Sequence, residues 1–239
     1  MPDFLFLIAA GTAVLLGAMV QGGVGLGLGL VAAPVISLLD PGLMPGSMLI
    51  TTAVLPMLTL GSEWRHTDWR GIGWGMGGRL FGTAAGVWIV AALDPRMLGG
   101  AVGAMVLAAV VLSLWDLRMR ITPWTLTAAG LVSGVTGTAT SIGGPPMALL
   151  YQHEPGPRVR ATLAGYFIIG VSVSLVALGL GGQLPARQVW IGAALIPFVV
   201  AGFLLGRPLR RVVDAGKMRI ALLAVVTVSG VVLLLQSLL

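Results

Sequence analysis

The sequence predicts an all-α polytopic membrane protein of two inverted repeats, each a re-entrant helical hairpin followed by three transmembrane helices. Three observations carry that expectation. Of 239 residues, 57% are hydrophobic and 9% charged, whereas soluble domains carry about a quarter charged residues. Apolar stretches of about 20 residues, the length that crosses a bilayer, follow one another with charge confined to short breaks. Finally, the basic residues gather on one side only if two interrupted apolar regions enter and leave the membrane by the same face.

The first interrupted region, 4–39, is broken at Gln21-Gly22-Gly23-Val24-Gly25-Leu26-Gly27-Leu28-Gly29. Glycine costs about 1 kcal/mol in a helix interior, so the cluster reads as the tip between two hairpin arms. Spans follow at about 43–61, 71–93 and 97–115 on hydropathy. The second interrupted region, 122–152, breaks between Gly134 and the pair Pro145-Pro146, and proline costs about 3 kcal/mol inside a helix. Its spans follow at about 161–182, 187–206 and 218–238. A shift of 112 places Gly22 on Gly134, Gly25 on Gly137 and Pro34 on Pro146; a shift of 120 places Gly82 and Gly86 on Gly202 and Gly206, and Asp94 on Asp214. The chain therefore divides into a first repeat, 1–120, and a second, 121–239, together one membrane domain. The N-terminus has no Lys or Arg before Arg65; a cleaved signal peptide starts basic, so this stretch is read as part of the fold.

Charge decides between hairpins and full crossings. With both broken regions crossing, Lys and Arg split five against eight between the two faces. With both re-entrant, Arg65, Arg70, Arg118, Arg120, Arg158, Arg160, Arg207, Arg210, Arg211, Lys217 and Arg219 share one face, and only Arg96 and Arg187 lie on the other. The second split is what the positive-inside rule expects, and it puts both termini on the external side. Three crossings per half also invert the second half relative to the first, as in many secondary transporters.

The formal net charge is +6, yet the basic residues sit in loops without the interleaved aromatics that nucleic-acid binding uses. Nucleic acid is therefore not an expected partner; membrane lipid is. The chain has no cysteine and two histidines, too few ligands for a metal centre. No Gly-Lys-Ser/Thr supports ATP use, and the glycines at 23–29 lack the βαβ context of a dinucleotide site. No cofactor and no enzymatic activity are expected.

The glycine-rich breaks carry a family resemblance. Gly17-Ala18-Met19-Val20-Gln21-Gly22-Gly23-Val24-Gly25, leading to Pro34, resembles the first signature of the sulfite exporter TauE/SafE family, also called the toluene sulfonate uptake permease family. Gly134-Val135-Thr136-Gly137, followed by Gly143-Gly144-Pro145-Pro146, resembles its second-half counterpart. The resemblance covers nearly the whole chain and implies a permease of the bacterial inner membrane for sulfite or organosulfonates. Leucines alternate with glycines here where the family's first motif more often runs several glycines together, which leaves the particular substrate open.

A re-entrant tip suits an anion. The second arm starts near mid-membrane with free N–H groups and about half a positive charge. Glycine admits a ligand to the backbone, and Ser or Thr supplies hydroxyl donors. Gln21, Gly22, Gly25, Thr138, Thr140, Ser141, Gly143 and Gly144 are accordingly expected to line a substrate site; the competing reading is tight helix packing by small residues. Arg79, about 12 Å into its span at 1.5 Å per residue, is the other candidate. It either draws the anion, or snorkels to headgroups or pairs with Glu63 or Asp68, and the sequence leaves these open. All eight acids fall near span ends or in loops, so no buried carboxylate is expected to relay protons. The expected function is an alternating-access permease for a small anion, with a homodimer a candidate assembly. A passive anion channel or a small subunit of a larger complex is the alternative.

Overall fold

The computed structural model describes residues 4–114, 119–209, 227–228 and 230–237, all helix or short connection. Among the described residues nine α-helices follow in order: α1 (Phe4–Val24), α2 (Leu28–Leu39), α3 (Gly46–Glu63), α4 (Trp69–Ala92), α5 (Pro95–Leu114), α6 (Pro123–Thr140), α7 (Gly144–Tyr151), α8 (Gly156–Leu180) and α9 (Ala186–Leu209). Residues 230–237 are also helical. The expected span at 218–238 lies largely outside the described residues, as do Arg118, Arg210, Arg211, Lys217 and Arg219.

Both interrupted regions are broken where the sequence requires it. Between α1 and α2 the chain passes through Gly25 at φ 96° and Gly27 at φ 147°, conformations that side chains other than glycine rarely take. Between α6 and α7 the turn falls on Ser141 at φ 61°. Thr122 caps α6, accepting from Thr125 N–H, and Asp68 caps α4, accepting from Gly71 N–H at 2.9 Å.

Glycine sets the helix pairing. α4 and α6 run side by side in the same direction: Gly78 meets the Thr127 backbone, Gly82 meets Leu131 and Gly134, and Gly86 meets Val135 and Thr138. α1 and α9 are also parallel, with Gly11 against Phe198, Gly202 against Leu15 and Ala18, and Gly206 against Met19. Small residues allow this close approach where lipid supplies no hydrophobic drive. The short helices follow one pattern. α2 ends at Asp40, which pairs with Arg187 at the start of α9 at 2.6 Å. α7 ends at Tyr151, whose hydroxyl donates to Asp68 at the start of α4 at 3.1 Å. α3 packs against both α8 and α9.

Large apolar side chains face outward along the helices, among them Leu80, Phe81, Trp88, Val176, Leu180, Leu204 and Leu205. A water-facing surface would not carry so continuous an apolar coat. By length and composition, segments Leu5–Gly22, Gly156–Leu180 and Ala186–Gly206 are long and apolar enough to cross a membrane. The exposed Trp64, Trp69, Trp74, Trp124 and Trp190 all lie within the first turns or at the ends of their helices, where an interfacial belt places them.

Candidate functional site

The two breaks meet. Gly29, in the first turn of α2, packs on the Ser141 carbonyl, and Leu26 packs near Gly144. Between them lies a cavity of about 50 Å³ whose lining includes Gln21, Arg79, Ser141, Gly143, Gly144 and Phe167. Five of the nine residues expected at a substrate site thus surround one space. The starts of the second arms, at Gly27–Leu30 and Gly143–Pro145, contribute more of the wall than the ends of the first arms. Helix starts carry unpaired N–H groups; Pro145 and Pro146 remove two from α7, leaving those of Gly143 and Gly144.

Arg79 is the dominant group. Only 1% of its surface is exposed, so it does not snorkel. Nor does it pair with either acid suggested by the sequence. Glu63 is held by Arg160 at 2.7 Å, and Asp68 by Arg158 at 3.1 Å and by Tyr151. Among the described residues no carboxylate pairs with the Arg79 guanidinium. Its Nη1 donates to Ser133 Oγ at 2.9 Å, while its buried Nε has no acceptor. The guanidinium carbon lies 5.0 Å from the Tyr166 ring centroid. That stacking is worth about 2 kcal/mol when desolvated, against about 2.5–3.5 kcal/mol for an arginine at the centre of a membrane helix. A guanidinium offers five N–H donors and keeps its charge, so most of its hydrogen-bonding capacity is unspent.

The slot that admits the cation is cut by glycines. A Cβ on Gly170 would fall directly onto Arg79 Nε and Cζ, and one on Gly137 would stand 3.1 Å from Nη2. Because Gly137 lines the cavity, that edge of the guanidinium is the one turned toward it. Ser133 also donates to the Gly143 carbonyl, tying the cation to the α6–α7 break.

Gln21 is set by a constraint that removes its amide ambiguity. Its Oε1 accepts from Leu28 N–H at 3.0 Å, and a backbone N–H can only donate. The side-chain NH₂ is therefore the group left for the cavity. Ser141 Oγ donates to the Pro45 carbonyl at 2.9 Å, so its one proton is committed there and is not offered to an anion as the sequence suggested.

A family model described as Sulfite exporter TauE/SafE matches residues 9–233, spanning both breaks and Arg79. The chain belongs to that family. No curated protein and no solved structure matches it. As a TauE/SafE protein it is a membrane transporter, and the apolar helices fit that setting.

Four expected site residues of this TauE/SafE protein stand outside the cavity lining. Thr138, fully buried, shares a 2.8 Å hydrogen bond with Ser174. Thr140 donates to its own helix at Thr136 and accepts from Ile142 N–H. Gly22 is buried in α1, and Gly25 packs on Arg160. Conversely, Ser133, Gly170 and Phe167 shape the site without having been singled out for it. Ser133 lies one turn before Gly137, so the i,i+4 spacing on α6 was the available signal; nothing local marks Gly170 or Phe167.

Proposed function

We propose that this TauE/SafE protein is a secondary permease of the bacterial inner membrane. It holds a small sulfur-containing anion, sulfite or an organosulfonate, in the cavity between the two breaks and passes it across by alternating access. The observation that carries the reading is Arg79: a buried cation that lines a cavity and has, among the described residues, no carboxylate partner and no acceptor for its Nε. A fixed positive charge in low dielectric favours an anion strongly, and oxyanions match the guanidinium fork. The Gln21 NH₂ and the N–H groups of Gly29, Leu30, Gly143 and Gly144 complete a donor shell.

In this reading the halves 1–120 and 121–239 are inverted repeats and the two broken regions are re-entrant hairpins. The exchange of partners supports it: α1 lies on α9 as α6 lies on α4, and each short arm ends beside the start of its partner's long helix. The eleven-to-two distribution of basic residues supports the external placement of both termini. Rocking of the halves against each other would then expose the cavity to each face in turn.

The test is flux in proteoliposomes. A carrier gives saturable sulfite entry that accelerates when unlabelled sulfite is loaded on the opposite side. Flux that stays linear in concentration and ignores the opposite side would mean a channel instead.

A further inference from the structure

We infer that the cavity accepts only a compact oxyanion, one the size of sulfite, and that Phe167 sets this limit by excluding sulfonates that carry an aromatic group. This inference rests on the cavity being the anion site and narrows what that site takes.

The volume limits the occupant. A cavity of about 50 Å³ holds roughly three to five waters at 10–15 Å³ each. Three oxygens on one sulfur fit that space; an additional ring does not. Besides the donors, the lining includes the apolar side chains of Leu26, Leu49, Phe167 and Val171. A substituent on sulfur would have to point into that wall while the oxygens face the donors.

A Cβ on Gly144 would stand 3.2 Å from Phe167 Cζ and 3.7 Å from Leu26 Cβ, so three residues from three segments converge there. Phe167 is partly buried. Its ring packs edge-on against Tyr166, with centroids 6.1 Å apart at 62°, and Tyr166 is the ring under the Arg79 guanidinium. The residue that closes the pocket is thus braced by the residue that supports its charge. Truncating Phe167 to alanine removes a phenyl ring from the wall, leaving a hole of the same shape as the ring of an aryl sulfonate. An apolar hole of that kind in a packed interior takes up an aromatic guest.

The experiment measures binding of sulfite, methanesulfonate and 4-toluenesulfonate to the purified full chain by isothermal calorimetry, for the wild type, Phe167→Ala and the milder Phe167→Leu. The wild type is expected to bind sulfite and to bind 4-toluenesulfonate at least about 10-fold more weakly, with methanesulfonate between them. Phe167→Ala is expected to shift the ratio of the sulfite to the 4-toluenesulfonate affinity at least about 10-fold toward the aryl sulfonate, about 1.4 kcal/mol per tenfold. Phe167→Leu, which keeps more of the wall, should show a smaller gain in the same direction. Wild-type binding of 4-toluenesulfonate as tight as that of sulfite overturns the size limit and leaves the site itself standing. Unchanged aryl selectivity in both folded variants overturns the role of Phe167. Absence of binding by all three anions to the wild type removes the site, and this inference with it.

Discussion

Replacing Arg79 by methionine separates a ligand-binding cation from a structural one, because the two roles move stability in opposite directions. Among the described residues, Arg79 has one hydrogen bond, to Ser133, and one ring contact, to Tyr166. Ser133 keeps its own bond to the Gly143 carbonyl when the guanidinium is gone, so the substitution strands no buried donor. Exchanging a poorly compensated buried charge for an apolar side chain is neutral to stabilising, by up to about 4 kcal/mol. Against this, the anion loses at least one charge-assisted hydrogen bond worth about 1.5–3 kcal/mol, which is roughly 10- to 150-fold in affinity. Thermal unfolding with and without saturating sulfite reads both. The Arg79→Met variant is expected to melt at or above the wild type without sulfite, and to lose most of the sulfite-induced rise. A variant that melts several degrees lower without anion, yet gains the full rise on adding sulfite, would refute the assignment and make Arg79 a packing residue.

Other consequences are equally specific. Gly170→Ala pushes a methyl into the guanidinium; overpacking of this kind costs about 1–3 kcal/mol, and sulfite KM should rise at least about 10-fold, with proteoliposome flux as the measure. Thr138→Val leaves Ser174 without its partner at a cost of about 1 kcal/mol, seen as a lower Tm with sulfite affinity unchanged. Burial opposes ionisation of Asp68, but hydrogen bonds from Gly71 N–H, Arg158 and Tyr151 outweigh it and hold the carboxyl below its usual range. Its contribution to stability is therefore complete above the ordinary carboxylate value and is lost as pH falls through the lowered one. Acid unfolding curves should accordingly separate wild type from Asp68→Asn fully above about pH 4, and the gap should close only as pH falls on through the lowered value.

Much of the helix plan was legible because membrane helices are written in length and glycine. The breaks at 24–28 and 140–144 fall inside the Gly-rich stretches that the sequence marks, and α3, α4, α5, α8 and α9 sit within a few residues of the expected spans. The site was legible only where backbone decides it. Gln21, Ser141, Gly143 and Gly144 line the cavity because they form the breaks themselves. Thr138 and Thr140 looked equally suitable as hydroxyl donors. Both belong to α6, however, where one turns to α8 and the other bonds back to the carbonyl four residues earlier, a common resort of helical threonine. The partners of Glu63 and Asp68, Arg160 and Arg158, lie 97 and 90 residues away in the chain. No local pattern could reveal that these acids were already engaged, and that Arg79 was therefore left alone. Gly170 is invisible for a related reason: its meaning is the guanidinium packed on it from another helix.

The most direct test of the central claim is a structure with selenite, the heavier analogue of sulfite, located by anomalous diffraction at the selenium edge. The account predicts a selenium peak inside the cavity, with its oxygens within hydrogen-bonding distance of the Arg79 guanidinium and the Gln21 NH₂. Selenite bound elsewhere, with Arg79 still stacked on Tyr166 and touching no anion, would contradict it.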